Sequence, residues 1–481
     1  MPYLSKTAKT GITQHASRIN LKPILEQKVT SRTKRLLEAD KKYIWHPFTQ
    51  MKDWLREEHL VIEEAKGNYL KDTDGKWYLD GISSLWVNVH GHKKMEIDTA
   101  IKNQLQKVSH TTLLGLGNVP SIELAQELIS IAPRGLKKVF YSDDGSTAVE
   151  IALKMAFQYW QNSNRRGKKR FVYLNNSYHG DTVGGVSVGG IDLFHKMYKP
   201  LLFNSIKVDA PYCYRCPKDK RYPGCSFECL EGLAKQLKKN HKSIAALIVE
   251  PIVQGAAGMI VWPKGVLKRM VNLCTRYKVL LIVDEVATGF GRTGRMFACA
   301  HESVSPDIMC LAKGISGGYL PIAATLTTQK IFKAFLADYK DKKTFFHGHT
   351  YTGNPLAAAA SLANIRIFKR EKTLERLSSK IAFLKNELGK FQALGHVGNI
   401  RQKGLMVGIE LVKDKATKKP FAWEEKIGVK VCQAVRKYGV ILRPLGNVIV
   451  LMPPLSITHQ QLREILNTAY RAIQEVTELS S

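Results

Sequence analysis

Asp284 and Lys313 are the residues whose types and setting most directly point to chemistry. Asp284 closes an apolar, β-branched run from Val279 to Val283, which reads as a buried parallel strand ending in a carboxylate. Lys313 follows a second short apolar run, Ile308 to Ala312. Ligands of open α/β sheets bind outside the carboxyl ends of strands, so both side chains are expected at one crevice. A lysine amine can form a Schiff base with an aldehyde. An aspartate can keep a pyridine nitrogen protonated, so that the ring draws electrons from a carbanion. The pair therefore suits pyridoxal phosphate. Taken singly, each residue has a plainer reading: a strand-end aspartate and a solvated surface lysine.

Neighbouring segments supply what must position such a cofactor. Lys138 to Glu150 reads as a strand, a Gly145-Ser146 turn and a helix with an apolar stripe at Val149, Ala152, Leu153, Ala156 and Trp160. A helix opening at Gly145-Ser146-Thr147 offers free N–H groups, hydroxyls and the positive end of its dipole to a phosphate; a serine N-cap is the plainer account. The strand-like Phe171 to Leu174 leads to Tyr178 in a glycine-bounded loop, where its face could stack on a ring or pack at a domain edge. Ala245 to Val249 reads as another apolar strand, ending at Glu250-Pro251. The loop from Phe346 to Asn354 is polar and glycine-rich; its hydroxyls could reach a phosphate, or it could be a plain turn.

Together these segments resemble a family. Asp284-Glu285-Val-Ala-Thr-Gly-Phe-Gly-Arg292-Thr293-Gly294, Lys313-Gly-Ile-Ser-Gly-Gly and Gly353-Asn354-Pro355 look like class III aminotransferases, pyridoxal-phosphate enzymes of fold type I. The resemblance runs from about residue 42 to 475. It implies an α/β fold, with a large, mostly parallel sheet domain, a small α+β domain and a dimer with shared active sites. A narrower likeness is to the biotin-pathway branch, which aminates 8-amino-7-oxononanoate to 7,8-diaminononanoate. Its carriers are Tyr43-Ile-Trp-His46-Pro47-Phe48-Thr49-Gln-Met51, Asp80 to Trp86, His90-Gly-His92, Met155 to Trp160, Arg443-Pro-Leu-Gly446 and Leu451 to Pro454.

Site roles follow from that resemblance by position. Lys313 is implied as the Schiff-base lysine and proton shuttle, which needs a free amine near neutral pH. Asp284 is implied as the partner of the pyridinium nitrogen, and Tyr178 as the ring-stacking residue. Gly145 and Ser146 are implied to hold the phosphate, with His349 and Thr350 beside them and Thr350 contributed by the second subunit. Arg443 is implied to pair bidentately with the substrate carboxylate. Gly348, Phe48, Leu85 and Trp86 are implied to line the substrate side. The implied chemistry is ping-pong.

Three positions depart from the best-known form of that branch. Many members use S-adenosylmethionine as donor and carry tyrosine at Phe48, tryptophan at Leu85 and tyrosine at Val450. Losing two hydroxyls and an indole removes stacking surface for a sulfonium nucleoside. The apolar pattern looks closer to members that use lysine, so lysine is the expected donor; neutral packing is the plainer account.

With 481 residues, 44% of them hydrophobic, the chain can bury a large core in two or three domains. The expected divisions are a basic N-terminal extension over 1–40, small-domain segments at 41–95 and 366–481, and a large cofactor-binding domain at 96–365. Strand-like Val440 to Leu442 and Val448 to Leu451 and a helix from Leu374 to Leu394 are expected in the last segment. No apolar run approaches the ~20 residues of a membrane span. The net charge of +32 is spread along the chain and keeps a nucleic-acid-binding reading open, although no nucleic-acid motif is found and none is expected to bind. Other ω-aminotransferases, acting on ornithine, 4-aminobutyrate or β-alanine, and aminomutases share the cofactor residues; His46 to Thr49 and Arg443 argue against them. Lys6, Lys9, Arg18 and Lys22 precede the first acidic residue, Glu26, a composition like an organellar transit peptide; a flexible tail on a cytoplasmic protein is the expectation. Cys213, Cys216, Cys225 and Cys229 have a spacing that could hold zinc, but free thiols on a surface loop are expected and no metal is assigned.

Overall fold

Leu280–Asp284 and Ile244–Val249 are buried at every residue and pair in parallel at the middle of a seven-stranded sheet. This is the burial that an unbroken apolar run requires, since neither face of such a strand tolerates water. Strands lie in the order Leu136–Ser142, Ala323–Thr328, Ile308–Leu311, Leu280–Asp284, Ile244–Val249, Arg170–Leu174, Ile206–Val208. Only Ala323–Thr328 runs antiparallel to its neighbours, so the sheet is mostly parallel, as expected. The computed structural model describes residues 29–479. The basic segment weighed as a transit peptide lies outside the described residues.

The helix Gly145–Asn162 packs on this sheet, and all five residues of its expected apolar stripe are buried. Its N-cap is Asp144 rather than a serine: the carboxylate accepts from Thr147 N at 2.9 Å, and Thr147 Oγ1 accepts from Asp144 N at 3.0 Å. Ser146 is thereby left unused by the cap.

Two smaller sheets flank the large one. In the first, Ile62–Lys66, Tyr69–Asp72 and Trp77–Asp80 are completed by Val440–Ile441, so early and late parts of the chain share one sheet. In the second, the order is Val397–Lys403, Met406–Asp414, Val448–Leu451, Arg443–Leu445, with Lys419–Pro420 against Met406–Asp414. The helix expected over 374–394 spans Thr373–Leu388 and tightens into a 3₁₀ turn at Gly389–Ala393.

The helix Ser31–Tyr43 runs through residue 40, where the N-terminal extension was expected to end. Thr30 and Thr33 both donate to Asp74 Oδ1, at 3.0 and 2.7 Å, and Asp40 accepts from Trp54 Nε1 at 2.8 Å. Polar bonds rather than an apolar stripe hold this helix, so hydrophobic periodicity could not reveal it. Among the described residues no helix is long and apolar enough to cross a membrane.

Candidate active site

The carboxyl ends of the large sheet's strands open into a cavity of about 440 Å³. Asp284, Lys313, Tyr178, Gly145, Ser146 and Trp86 all line it. Asp284 Oδ2 lies 2.7 Å from His179 Nδ1, and Asp284 Oδ1 accepts from Val286 N at 3.0 Å. A carboxylate accepts, so Nδ1 carries the imidazole proton. Beside them, Glu250 accepts from Tyr178 N at 2.9 Å and Gly255 N at 2.8 Å. Burial pushes the Glu250 carboxyl up to about 7, with His179 opposing and Asp284 reinforcing the shift.

Lys313 opens a 3₁₀ turn with φ 47° and sets its amine 5.4 Å from the centre of the Trp86 ring. Among the described residues no hydrogen bond engages that amine. Burial lowers its pKa, and Asp284 and Glu250 oppose the shift. The indole is held by a strained turn: Ser83, Ser84 and Trp86 all have positive φ, at 54°, 61° and 65°. Each such residue costs about 1–2 kcal/mol. Buried Asp80 offsets part of this by accepting from Ser84 N at 2.8 Å and Ile82 N at 3.2 Å. Arg292, 1% exposed, donates to Ser83 Oγ at 3.0 Å, Pro453 O at 2.8 Å and Asn88 O at 2.6 Å. Burial pushes its guanidinium down to about 10 against the field of Asp80.

The outer residues are arranged differently. His349 Nδ1 lies 2.6 Å from Asp143 Oδ2, and Asp143 lines the cavity, but Gly348 and Thr350 are exposed and do not. Phe48 is exposed; its ring meets the edge of Phe194 at 5.3 Å, which in turn meets Tyr178 at 6.3 Å. Leu85 is exposed beside Trp86. Arg443 is half-buried on its strand and lies outside the cavity wall, directly across from Val450. Burial lowers its pKa, weakly opposed by Cys432. Val450, the third of the positions that depart from the S-adenosylmethionine-using members, is fully buried. Among the described residues no group of three or more His, Cys, Asp or Glu side chains could hold a metal ion; Cys213, Cys216, Cys225 and Cys229 are free thiols.

The family model of class III aminotransferases matches residues 51–473. The chain belongs to this family. A Geobacter sulfurreducens protein described as adenosylmethionine-8-amino-7-oxononanoate aminotransferase is 52% identical over 446 residues, covering 92% of this chain and 98% of its own. The crystal structure of a protein of that description from Methanocaldococcus jannaschii superposes with a TM-score of 0.88 at 47% identity, covering 92% and 99% of the two chains. A pyridoxal-phosphate-bound amine transaminase from an uncultivated Pseudomonas species gives 0.87 at 38% identity, over 90% and 99%. This class III aminotransferase is thus a fold type I transaminase that works with pyridoxal phosphate.

Its cavity fits that cofactor. A Cβ on Gly145 would stand 2.7 Å from Val286 Cγ1, and one on Gly180 would stand 2.1 Å from Ser146 Oγ. The backbone there approaches closely enough that only glycine leaves the helix N-terminus open. Buried His179 Nε2 and Trp86 Nε1 lack hydrogen-bond partners among the described residues, and both residues line the same space. His179, Glu250 and Arg292 were given no role in the sequence reading. His179 stands one residue after Tyr178, Glu250 ends a recognised strand and Arg292 lies in the family motif, so their positions were visible. Their partners are far apart in sequence and were not.

Proposed function

We propose that this transaminase moves an amino group onto 8-amino-7-oxononanoate to give 7,8-diaminononanoate in biotin biosynthesis. The observation that carries the reading is the description shared by the Geobacter and Methanocaldococcus proteins, at about half identity over nearly whole chains. Pyridoxal phosphate, when bound, supplies an aldehyde for the migrating amine and a ring that stabilises negative charge on carbon.

The chain's own groups take these roles. Lys313 would supply the amine that holds the aldehyde, and burial, by lowering its pKa, would favour the free amine that moves protons. Asp284, oriented by His179, would hold the pyridine nitrogen in its protonated form. Tyr178 would stack on the ring, since its hydroxyl is turned aside to donate to Asp181 Oδ2 at 2.6 Å. The helix start at Gly145-Ser146 takes the phosphate, and Arg443 takes the substrate carboxylate. With the purified enzyme in its aminated form, oxononanoate is expected to restore the cofactor's aldehyde absorbance while 2-oxoglutarate does not. The reverse result would make it an ω-aminotransferase of the ornithine, 4-aminobutyrate or β-alanine type.

For the donor, exposed apolar Phe48 and Leu85 support lysine, since neither offers a polar handle to a nucleoside. The relatives' descriptions support S-adenosylmethionine as the second reading. Adding each donor alone and following loss of the aldehyde absorbance separates them: the donor that bleaches the cofactor is the substrate.

The active form is a homodimer in this proposal, with Thr350 serving the partner's site. Exposed Leu114, Leu116, Val119, Ile122 and Tyr351 support it; Asn118 Nδ2 bonds Gly353 O at 3.1 Å, joining their two loops in one apolar patch. The sheet shared by Trp77–Asp80 and Val440–Ile441 supports a small domain drawn from 41–95 and 366–481 around a large domain at 96–365. Free thiols throughout the described residues suit the reducing cytoplasm, where we place the enzyme.

A further inference from the structure

At the opposite ends of the same strands the chain gathers positive charge. From Ile151 to Gly180, Gly232 to Val249 and Pro251 to Val283 the sequence holds no aspartate or glutamate. Each stretch contributes one connector, entering Arg170–Leu174, Ile244–Val249 and Leu280–Asp284, which are neighbours in the sheet. Their amino ends therefore bring Arg165, Arg166, Lys242 and Lys278 to one concavity of about 380 Å³, lined also by Lys168 and His241. No acidic residue lines it.

Lys168 is the tether of this site. Its buried ammonium donates to the carbonyls of His241, Ile244 and Lys278 at 2.7, 2.9 and 2.9 Å, so that Lys168, on the first connector, ties itself twice to the second and once to the third. Burial, reinforced by Arg165, pushes it down to about 8. The four outer cations have no carboxylate partner among the described residues and are exposed. An adjoining cavity of about 560 Å³ shares Arg165 and Lys278. It holds one acid, Asp307, whose carboxylate is tied to Leu281 N at 2.9 Å.

Like charges held together without counterions raise one another's energy, and a multivalent anion relieves this. We propose that this concavity binds a compact polyphosphate anion, either the phosphate chain of a nucleoside triphosphate or free inorganic triphosphate. Arginine forks and lysine ammonium groups suit phosphate oxygens. Nucleic acid fits less well, because a strand needs exposed aromatic platforms. Tyr277, the aromatic of the lining, is half-buried with the His241 ring 5.7 Å from its own, and Trp160 is buried, with Lys168 and Arg165 already over its ring at 4.5 and 5.7 Å. The transamination cavity lies roughly 15 Å away, at the far end of five-residue strands.

The test is calorimetric titration of the holoenzyme with sodium triphosphate and with ATP at matched ionic strength. One saturable site per chain is expected. Arg165→Ala combined with Lys278→Ala should weaken it at least about tenfold while transaminase rate and melting temperature stay unchanged. If that pair unfolds, Arg166→Gln with Lys242→Gln serves instead. Equal affinity for the two ligands means the phosphate chain alone is read; tighter ATP binding means the base adds contacts. Absence of saturable binding, or binding indifferent to both variant pairs, overturns the proposal. So does an oligonucleotide that binds more tightly than triphosphate and is lost in the same variants, which would make this a nucleic-acid surface.

Discussion

On the inner wall of the active-site cavity, Asp284, Glu250 and Lys313 sit at or just beyond strand ends, and His179 is fixed against Asp284. On the rim, Gly348, Thr350 and Phe48 ride on exposed connections, and Arg443 is half-buried beyond the cavity. The inner groups are desolvated, and the same burial pushes Glu250 up and Lys313 down. The rim groups face solvent and act on whatever is brought to them. A single chain completes the first arrangement; the roles proposed for the second involve a partner subunit and substrates. The basic concavity at the far end of the strands repeats the lesson with the sign reversed, since its cations stay exposed while only the tether Lys168 is buried.

The strongest way to break this comparison is at Lys313. Lys313→Ala is expected to lower turnover by about 10⁴-fold or more while cofactor still binds noncovalently, checked by steady-state rates and absorbance after desalting. Near-normal turnover would remove Lys313 from the chemistry.

Glu250 tests whether burial governs the inner wall. Its folded pKa of about 7 stands above the ordinary 4.5, so its stabilising contribution is complete below pH 4.5 and lost as pH rises to 7. That loss is about 3 kcal/mol by linkage. Urea unfolding of the apoprotein across this range should show Glu250→Gln with a flatter profile than the parent; parallel profiles would mean folding leaves the Glu250 pKa where it is in the unfolded chain.

Effects at the rim should be smaller and specific to one substrate. Arg443→Ala should raise KM for oxononanoate about 10–100-fold, the worth of a charge-assisted pair, leaving the donor half-reaction nearly intact. Equal damage to both half-reactions would assign Arg443 to both substrates or to the fold. Thr350→Ala should weaken cofactor retention several-fold, about the worth of one neutral hydrogen bond. Mixing that variant with Lys313→Ala should create hybrid dimers with one site of parental cofactor retention, because each hybrid has one intact site. If no fraction with parental retention appears, shared sites are wrong.

Composition and pattern alone determined the central strands, the apolar-striped helix from Gly145 and the meeting of Asp284 with Lys313 at one crevice, while the helix cap proved to be Asp144 rather than a serine. An apolar run of five or six residues has few ways to escape water, and its carboxyl end must then face the crevice. The motif order carried the family. Tertiary structure alone decided which groups touch: His179 against Asp284, Arg292 across to Ser83, Asn88 and Pro453, and Lys168 across three connectors. Those partners are separated by tens to hundreds of residues, and local periodicity has no term for polar bonds of that range. The helix Ser31–Tyr43 was missed for the same reason, being held to Asp74 by hydroxyls rather than by a stripe. Val450 went the other way: its place opposite Arg443 is a matter of strand register, which buries it completely. Hydrophobic burial is written residue by residue along the chain, whereas the pairing of charges exists only once distant segments have been brought together.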